Sequence, residues 1–83
     1  MIKLNKEQNE YILSILSYDL KDRVMECVSL VNGNYEYNFD DDLEIEFNDF
    51  LQDKQVEVGY DEHYNPNDEW EKIQKLIDLI DNQ

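Results

Sequence analysis

The residues of this chain best equipped for chemistry are carboxylates. Asp40-Asp41-Asp42 is followed by Glu44, Glu46 and Asp49, and counting from Asn38 all of these acids but Asp41 fall on the ligand positions of a calcium-wrapping helix–loop–helix loop. The match fails where geometry is most demanding. Leu43 stands where the sharp turn wants glycine, and Asp49 stands where the closing bidentate glutamate belongs. A solvated acidic face is the simpler reading, and no metal or other cofactor is expected.

Nucleophiles are few. The one histidine, His63, lies in the polar run Tyr60-Asp61-Glu62-His63-Tyr64, where neighbouring carboxylates favour its charged form. No serine or cysteine can be assigned to it as a nucleophile, because Ser14, Ser17 and Ser29 all fall within helical pattern. The single cysteine, Cys27, shares an apolar stripe with Val24, Val28 and Val31 and reads as small core filler. Paired carboxylates can hydrolyse glycosides, but so many acids offer pairs by chance, and nothing marks a sugar-holding cleft. With two glycines there is no phosphate-cradling loop. The expectation is a non-enzyme.

The distribution of charge is more telling than any motif. Across 83 residues the net charge is −14, and it is not evenly spread. Residues 1–35 are close to neutral and residues 72–83 balance, whereas residues 36–71 hold fourteen acids against Lys54 alone. A polyanion of this kind repels nucleic acid, whose affinity for proteins comes chiefly from Lys and Arg. Direct nucleic-acid binding is therefore not expected.

The elements that must carry these acids follow from periodicity. Asn5 with Gln8 three residues later resembles a capping box, and Ile12, Leu16, Leu20, Val24, Val28 and Val31 recur at helical spacing. The stripe drifts along its length, which places a kink near Ser17-Tyr18-Asp19, and Asn32-Gly33 then reads as the helix stop. Tyr35–Phe39 and Val56–Tyr60 alternate apolar and polar residues as half-buried strands do. The segment from Asp42 to Asp53 fits a helix through Leu43, Phe47, Phe50 and Leu51, or a strand through Leu43, Ile45 and Phe47, and the helix is preferred. Near the C-terminus Asn65-Pro66 supplies a cap and first helical residue for the apolar face Trp70, Ile73, Leu76, Ile77 and Ile80. Asp68, Glu69 and Glu71 sit in that helix's first turns, where its dipole favours them.

These elements predict a small α+β fold: one domain over residues 1–83, with N- and C-terminal helices packed on a small antiparallel sheet. At 41% hydrophobic content the chain is rich enough in apolar surface to fold despite its charge. No run is long enough for a membrane span, the start Met1-Ile2-Lys3-Leu4-Asn5-Lys6 lacks the apolar region of a secretory leader, and the lone thiol suits a reducing compartment, so a cytoplasmic protein is expected. Abundant Asn, Ile and Tyr, no Ala and one Arg point to an AT-rich genome such as that of a low-GC bacterium or its phage.

A net charge far beyond what solubility needs calls for a partner, and the partner must be basic. Acids two apart on a strand, Glu44/Glu46, or on one helix face, Asp42/Glu46/Asp49, form rows on the few-ångström scale of a phosphate backbone. The partner-binding surface is read as Glu36, Asp40, Asp41, Asp42, Glu44, Glu46, Asp49, Asp53, Glu57, Asp61 and Glu62, with Tyr60 as an aromatic anchor. Tyr37 and Tyr64 are weighed as further anchors or as partly buried sheet residues.

In size, acidity and composition, and in the run Phe39-Asp40-Asp41-Asp42-Leu43-Glu44-Ile45-Glu46-Phe47, the chain resembles small phage-encoded DNA-mimic inhibitors, many anti-CRISPR proteins among them. No motif is matched residue by residue. The resemblance implies a non-catalytic inhibitor that occupies a nuclease or repressor. The alternatives are an immunity protein or antitoxin neutralising a basic toxin, and an acidic domain whose charge only keeps it soluble.

Overall fold

The computed structural model describes residues 2–82. Its elements run β1 (Ile2–Leu4), α1 (Lys6–Ile15), α2 (Tyr18–Met25), β2 (Val28–Val31), β3 (Asn34–Tyr37), α3 (Asp41–Val58) and α4 (Asp68–Asp81), an α+β fold with an antiparallel sheet of order β1-β3-β2. The backbone falls into two compact units, one ending at Leu43 and the other beginning at Glu44.

In the first unit the capping box forms as expected. The Gln8 N–H donates to Asn5 Oδ1 at 2.8 Å, and the Asn5 N–H donates to Gln8 Oε1 at 3.0 Å. The expected kink is a true break: α1 ends at Ile15, and α2 starts from the extended Ser17. The helical reading of Val28 and Val31 is overturned, because both lie in β2. Asn32 and Gly33 are not a helix stop. With φ of 51° and 82° they make the two-residue turn whose double left-handed backbone matches strand twist, and they join β2 to β3 as a hairpin. The strand read over Tyr35–Phe39 is β3, shifted to Asn34–Tyr37.

Pairing puts Ile2 beside Tyr37 and Leu4 beside Tyr35 on one sheet face, and Lys3, Glu36 and Ser29 on the other. α1 packs against β1 and β3, and the buried Tyr37 hydroxyl donates to Asn9 Oδ1 on α1. Burial, aided by neighbouring Tyr35, pushes the Tyr37 phenol up to about 12. Cys27 is half-buried in the turn after α2, its Sγ 3.5 Å from the Arg23 carbonyl oxygen, rather than core filler on a helix.

In the second unit the preferred helix over Asp42–Asp53 is present and longer, reaching Val58. This overturns the strand expected at Val56–Tyr60. Val56 and Val58 belong to α3's last turn, and Tyr60 makes only an isolated bridge with Pro66. Phe47 and Leu51 turn inward and are buried, whereas Val56 is 72% exposed, so its alternation with Val58 is not that of a half-buried strand. α4 carries the expected apolar face, with Ile73, Leu76, Ile77 and Ile80 buried. Its cap lies two residues later than read: Asn67, not Asn65, accepts from the Trp70 N–H at 3.0 Å, and Pro66 stands outside the helix.

The two helix ends are fastened by amide side chains. Asn67 Nδ2 donates to the Val58 carbonyl at 3.0 Å, so one residue caps the start of α4 and satisfies an end carbonyl of α3. Gln55 Nε2 donates to the Trp70 carbonyl and to Gln74 Oε1, at 3.1 and 3.0 Å. Gly59 closes α3 with its N–H on the Gln55 carbonyl at 2.9 Å, and a Cβ there would lie 2.2 Å from that oxygen and 3.1 Å from Trp70. Only glycine fits.

Candidate functional site

Eighteen residues of α3 display most of the acids singled out above. At ~100° per residue, Asp42, Glu46, Asp49, Asp53 and Glu57 fall within a stripe about 80° wide, and all five are exposed. The opposite side of the helix carries Leu43, Phe47 and Leu51, all buried. Burial of that apolar row orients the helix, and the orientation aligns the carboxylates. From Asp42 to Glu57 the stripe runs ~22 Å at 1.5 Å per residue.

Lys54 is the only base within α3, and it lies to one side of the stripe. Its Nζ sits 3.4 Å from Glu57 Oε1, a surface pair of the kind that contributes little to stability. Ile45 and Val56 flank the acids on the other side, 61% and 72% exposed. The face is thus a line of carboxylates with an apolar margin.

The remaining expected site residues go elsewhere. Asp40 caps α3, its Oδ1 accepting from the Leu43 N–H at 2.7 Å, so this acid has a structural task. Asp41 follows on the first turn, off the stripe, and Glu44 is half-buried toward the inner side. Glu36 stands on the central strand opposite Lys3, on the polar face of the sheet. Asp61 is engaged in its own loop, with Oδ1 accepting from the N–H groups of His63 and Asn65 at 2.8 and 3.0 Å. Glu62 lies exposed with its Oε1 3.6 Å from His63 Nε2, and Tyr60 is 40% exposed at the bridge to Pro66. Of the twelve residues, α3 gathers five into one row.

A calcium loop is ruled out by the same geometry, since the acids from Asp41 onward are wound into a helix and cannot wrap one ion. Among the described residues no group of three or more His, Cys, Asp or Glu is placed to hold a metal ion. No helix among them is long and apolar enough to cross a membrane. Sequence reading missed Ile45 and Val56 as surface features: Val56 was assigned to a strand, and Ile45 was weighed only in the strand alternative to the preferred helix. Their spacing from Asp49 and Asp53 on a helical wheel was the signal. Comparison with family models, with characterised protein sequences and with solved structures yields no match.

Proposed function

We propose that this chain is a non-catalytic acidic inhibitor that binds a basic nucleic-acid-binding protein, a nuclease or a repressor, by presenting carboxylates where phosphates would lie. The single observation that carries the reading is the α3 stripe. Its five carboxylates are spaced ~5.6 Å apart on average along the axis, taking 1.5 Å per residue, which is the few-ångström scale of charges along one nucleic-acid strand. Rows of this kind speed association with a basic groove and set its register through Arg and Lys pairs. The protein acts in the cytoplasm, needs no cofactor and does not itself bind nucleic acid. A phage or other mobile element with an AT-rich genome is its expected source.

The test begins with capture of partners from the source organism's lysate at low salt, followed by work on the purified partner. Lys substitutions at Glu46, Asp49 and Asp53 are expected to weaken binding by slowing association and to flatten its salt dependence. The partner's own DNA or RNA should displace this chain competitively. If a folded triple-Lys variant binds normally, or the partner holds nucleic acid and this chain together without mutual loss, the mimic reading is wrong. Capture of a dedicated toxin with no nucleic-acid groove would replace it with the immunity-protein reading.

A further inference from the structure

The hairpin leaves one strand edge open. In the order β1-β3-β2, β2 pairs among the described residues only with β3, and its register is Val28↔Tyr37, Ser29↔Glu36, Leu30↔Tyr35 and Val31↔Asn34. The two-residue turn makes Val31 and Asn34 a hydrogen-bonded pair, and such pairs alternate along an antiparallel ladder. The Cys27 carbonyl, accepting from the Asn38 N–H at 3.0 Å, keeps the same alternation. The backbone groups of Ser29 and Val31 therefore face β3, and those of Val28 and Leu30 face outward.

This edge lacks charge, proline and bulge. Edge strands are commonly guarded by charges, proline or bulges, and Val28-Ser29-Leu30-Val31 contains no charge or proline and pairs without a bulge. Leu30 is 66% exposed and Val31 40%. The other edge, β1, is three residues long with Lys3 at its centre.

We propose that β2 pairs antiparallel with β2 of a second copy of this chain, joining the two three-stranded sheets about a two-fold axis at Ser29. Charge selects this occupant. A basic partner finds nothing to pair with on an uncharged strand, whereas a second copy, itself carrying −14, can approach only where the chain is nearly neutral, and residues 27–35 contain no charged side chain. The strand is also its own complement. With Val28 opposite Leu30 of the copy, and Leu30 opposite its Val28, the outward N–H and C=O groups of both residues exchange bonds across the axis. Ser29 then faces Ser29 of the copy in the close, non-hydrogen-bonded position, where Cα atoms lie about 4.5 Å apart and a pair of cysteines could form a disulfide.

The experiment uses sedimentation equilibrium and oxidative cross-linking of the full chain. A monomer–dimer equilibrium should strengthen as salt screens the repulsion between copies, opposite to the salt weakening expected for a basic partner. Leu30→Lys should weaken it about tenfold or more while leaving the circular dichroism spectrum unchanged. In a Cys27→Ser background, Ser29→Cys should cross-link to a covalent dimer under mild oxidation, and Val31→Cys, which faces residue 27 of the copy, should not. A chain that stays monomeric at millimolar concentration and high salt would overturn the proposal, and so would a Val31→Cys variant that cross-links as readily as the Ser29→Cys variant.

Discussion

The two units hold themselves together by different chemistry. The first relies on backbone: a hairpin with a double left-handed turn, a three-stranded ladder, and one buried hydroxyl, that of Tyr37, on Asn9. The second carries twelve acids against three bases, and ties its helix ends with neutral amides, Gln55, Asn67 and Gln74, and with Gly59. With amides fastening the ends of α3 and α4, the five carboxylates of the α3 stripe stay exposed, while Asp61 alone of the site acids in this unit pins a loop. The α3 stripe is the product of that division of labour.

The second unit is most vulnerable at Gly59. A methyl group there meets the Gln55 carbonyl, which is backbone and cannot turn away, so Gly59→Ala should destabilise by about 3 kcal/mol, the upper range for overpacking. Denaturant titration followed by tryptophan fluorescence would measure it, since Trp70 adjoins the site. An unchanged midpoint would mean that α3 ends without needing a glycine. Asn67→Ala comes next, at about 2 kcal/mol, because it removes a helix cap and also strands the Val58 carbonyl. Asn67→Asp separates the two roles: it can keep the cap but not the bond to Val58, so it should recover only part of the loss.

In the first unit the matching test is Tyr37→Phe, expected to cost about 1 kcal/mol at neutral pH, the typical net value of one hydrogen bond. Its pH dependence has a definite sign. The unfolded phenol ionises near 10.0 and the folded one near 12, so the folded state holds the proton more tightly. Stability from this group is fully present below pH 10 and is lost as pH rises from 10 towards 12. The Phe variant should lack that alkaline decline in thermal scans. Equal declines in both proteins would remove Tyr37 from the account.

Local signals were legible in the sequence, and a choice between periods came out right for the helix over Asp42–Asp53 but wrong at Val28–Val31 and at Val56–Tyr60. Asn5 and Gln8 cap a helix because three residues separate two complementary side chains, and nothing distant alters that. Val24, Val28 and Val31 satisfy helical spacing, yet β-branched Val28 and Val31 flank an Asn-Gly pair with Tyr35 and Tyr37 beyond it, and the turn decides for a hairpin. At the start of α4, Asn65-Pro66-Asn67-Asp68 holds two asparagines, and contacts outside that run choose between them: Asn65 is bonded into the Asp61 loop, whereas Asn67 bonds the carbonyls of Val58 and Gly59 at the end of α3. The acidic row was visible as a segment, but not as a line. Asp40 and Asp61 look like its members and are spent on a cap and a loop, a difference that appears only once the backbone partners are known.

The smallest expected effect bears most directly on why the carboxylates are there. Asp49 and Asp53 stand one turn apart on α3, and like charges at this spacing destabilise a helix by about 0.2–0.5 kcal/mol. Converting both to Asn should therefore raise stability slightly at low ionic strength, by about 0.5 kcal/mol once other repulsions on the stripe are counted. The gain should vanish as salt screens the wild-type protein. Parallel melts of the two proteins across a salt series would reveal the convergence. A stripe kept at a cost to the fold is explained by what it binds, and the same double Asn variant should bind the basic partner more weakly while folding better. If the variant instead loses stability at low salt, these carboxylates are pairing partners within the fold, and their alignment needs no partner to account for it.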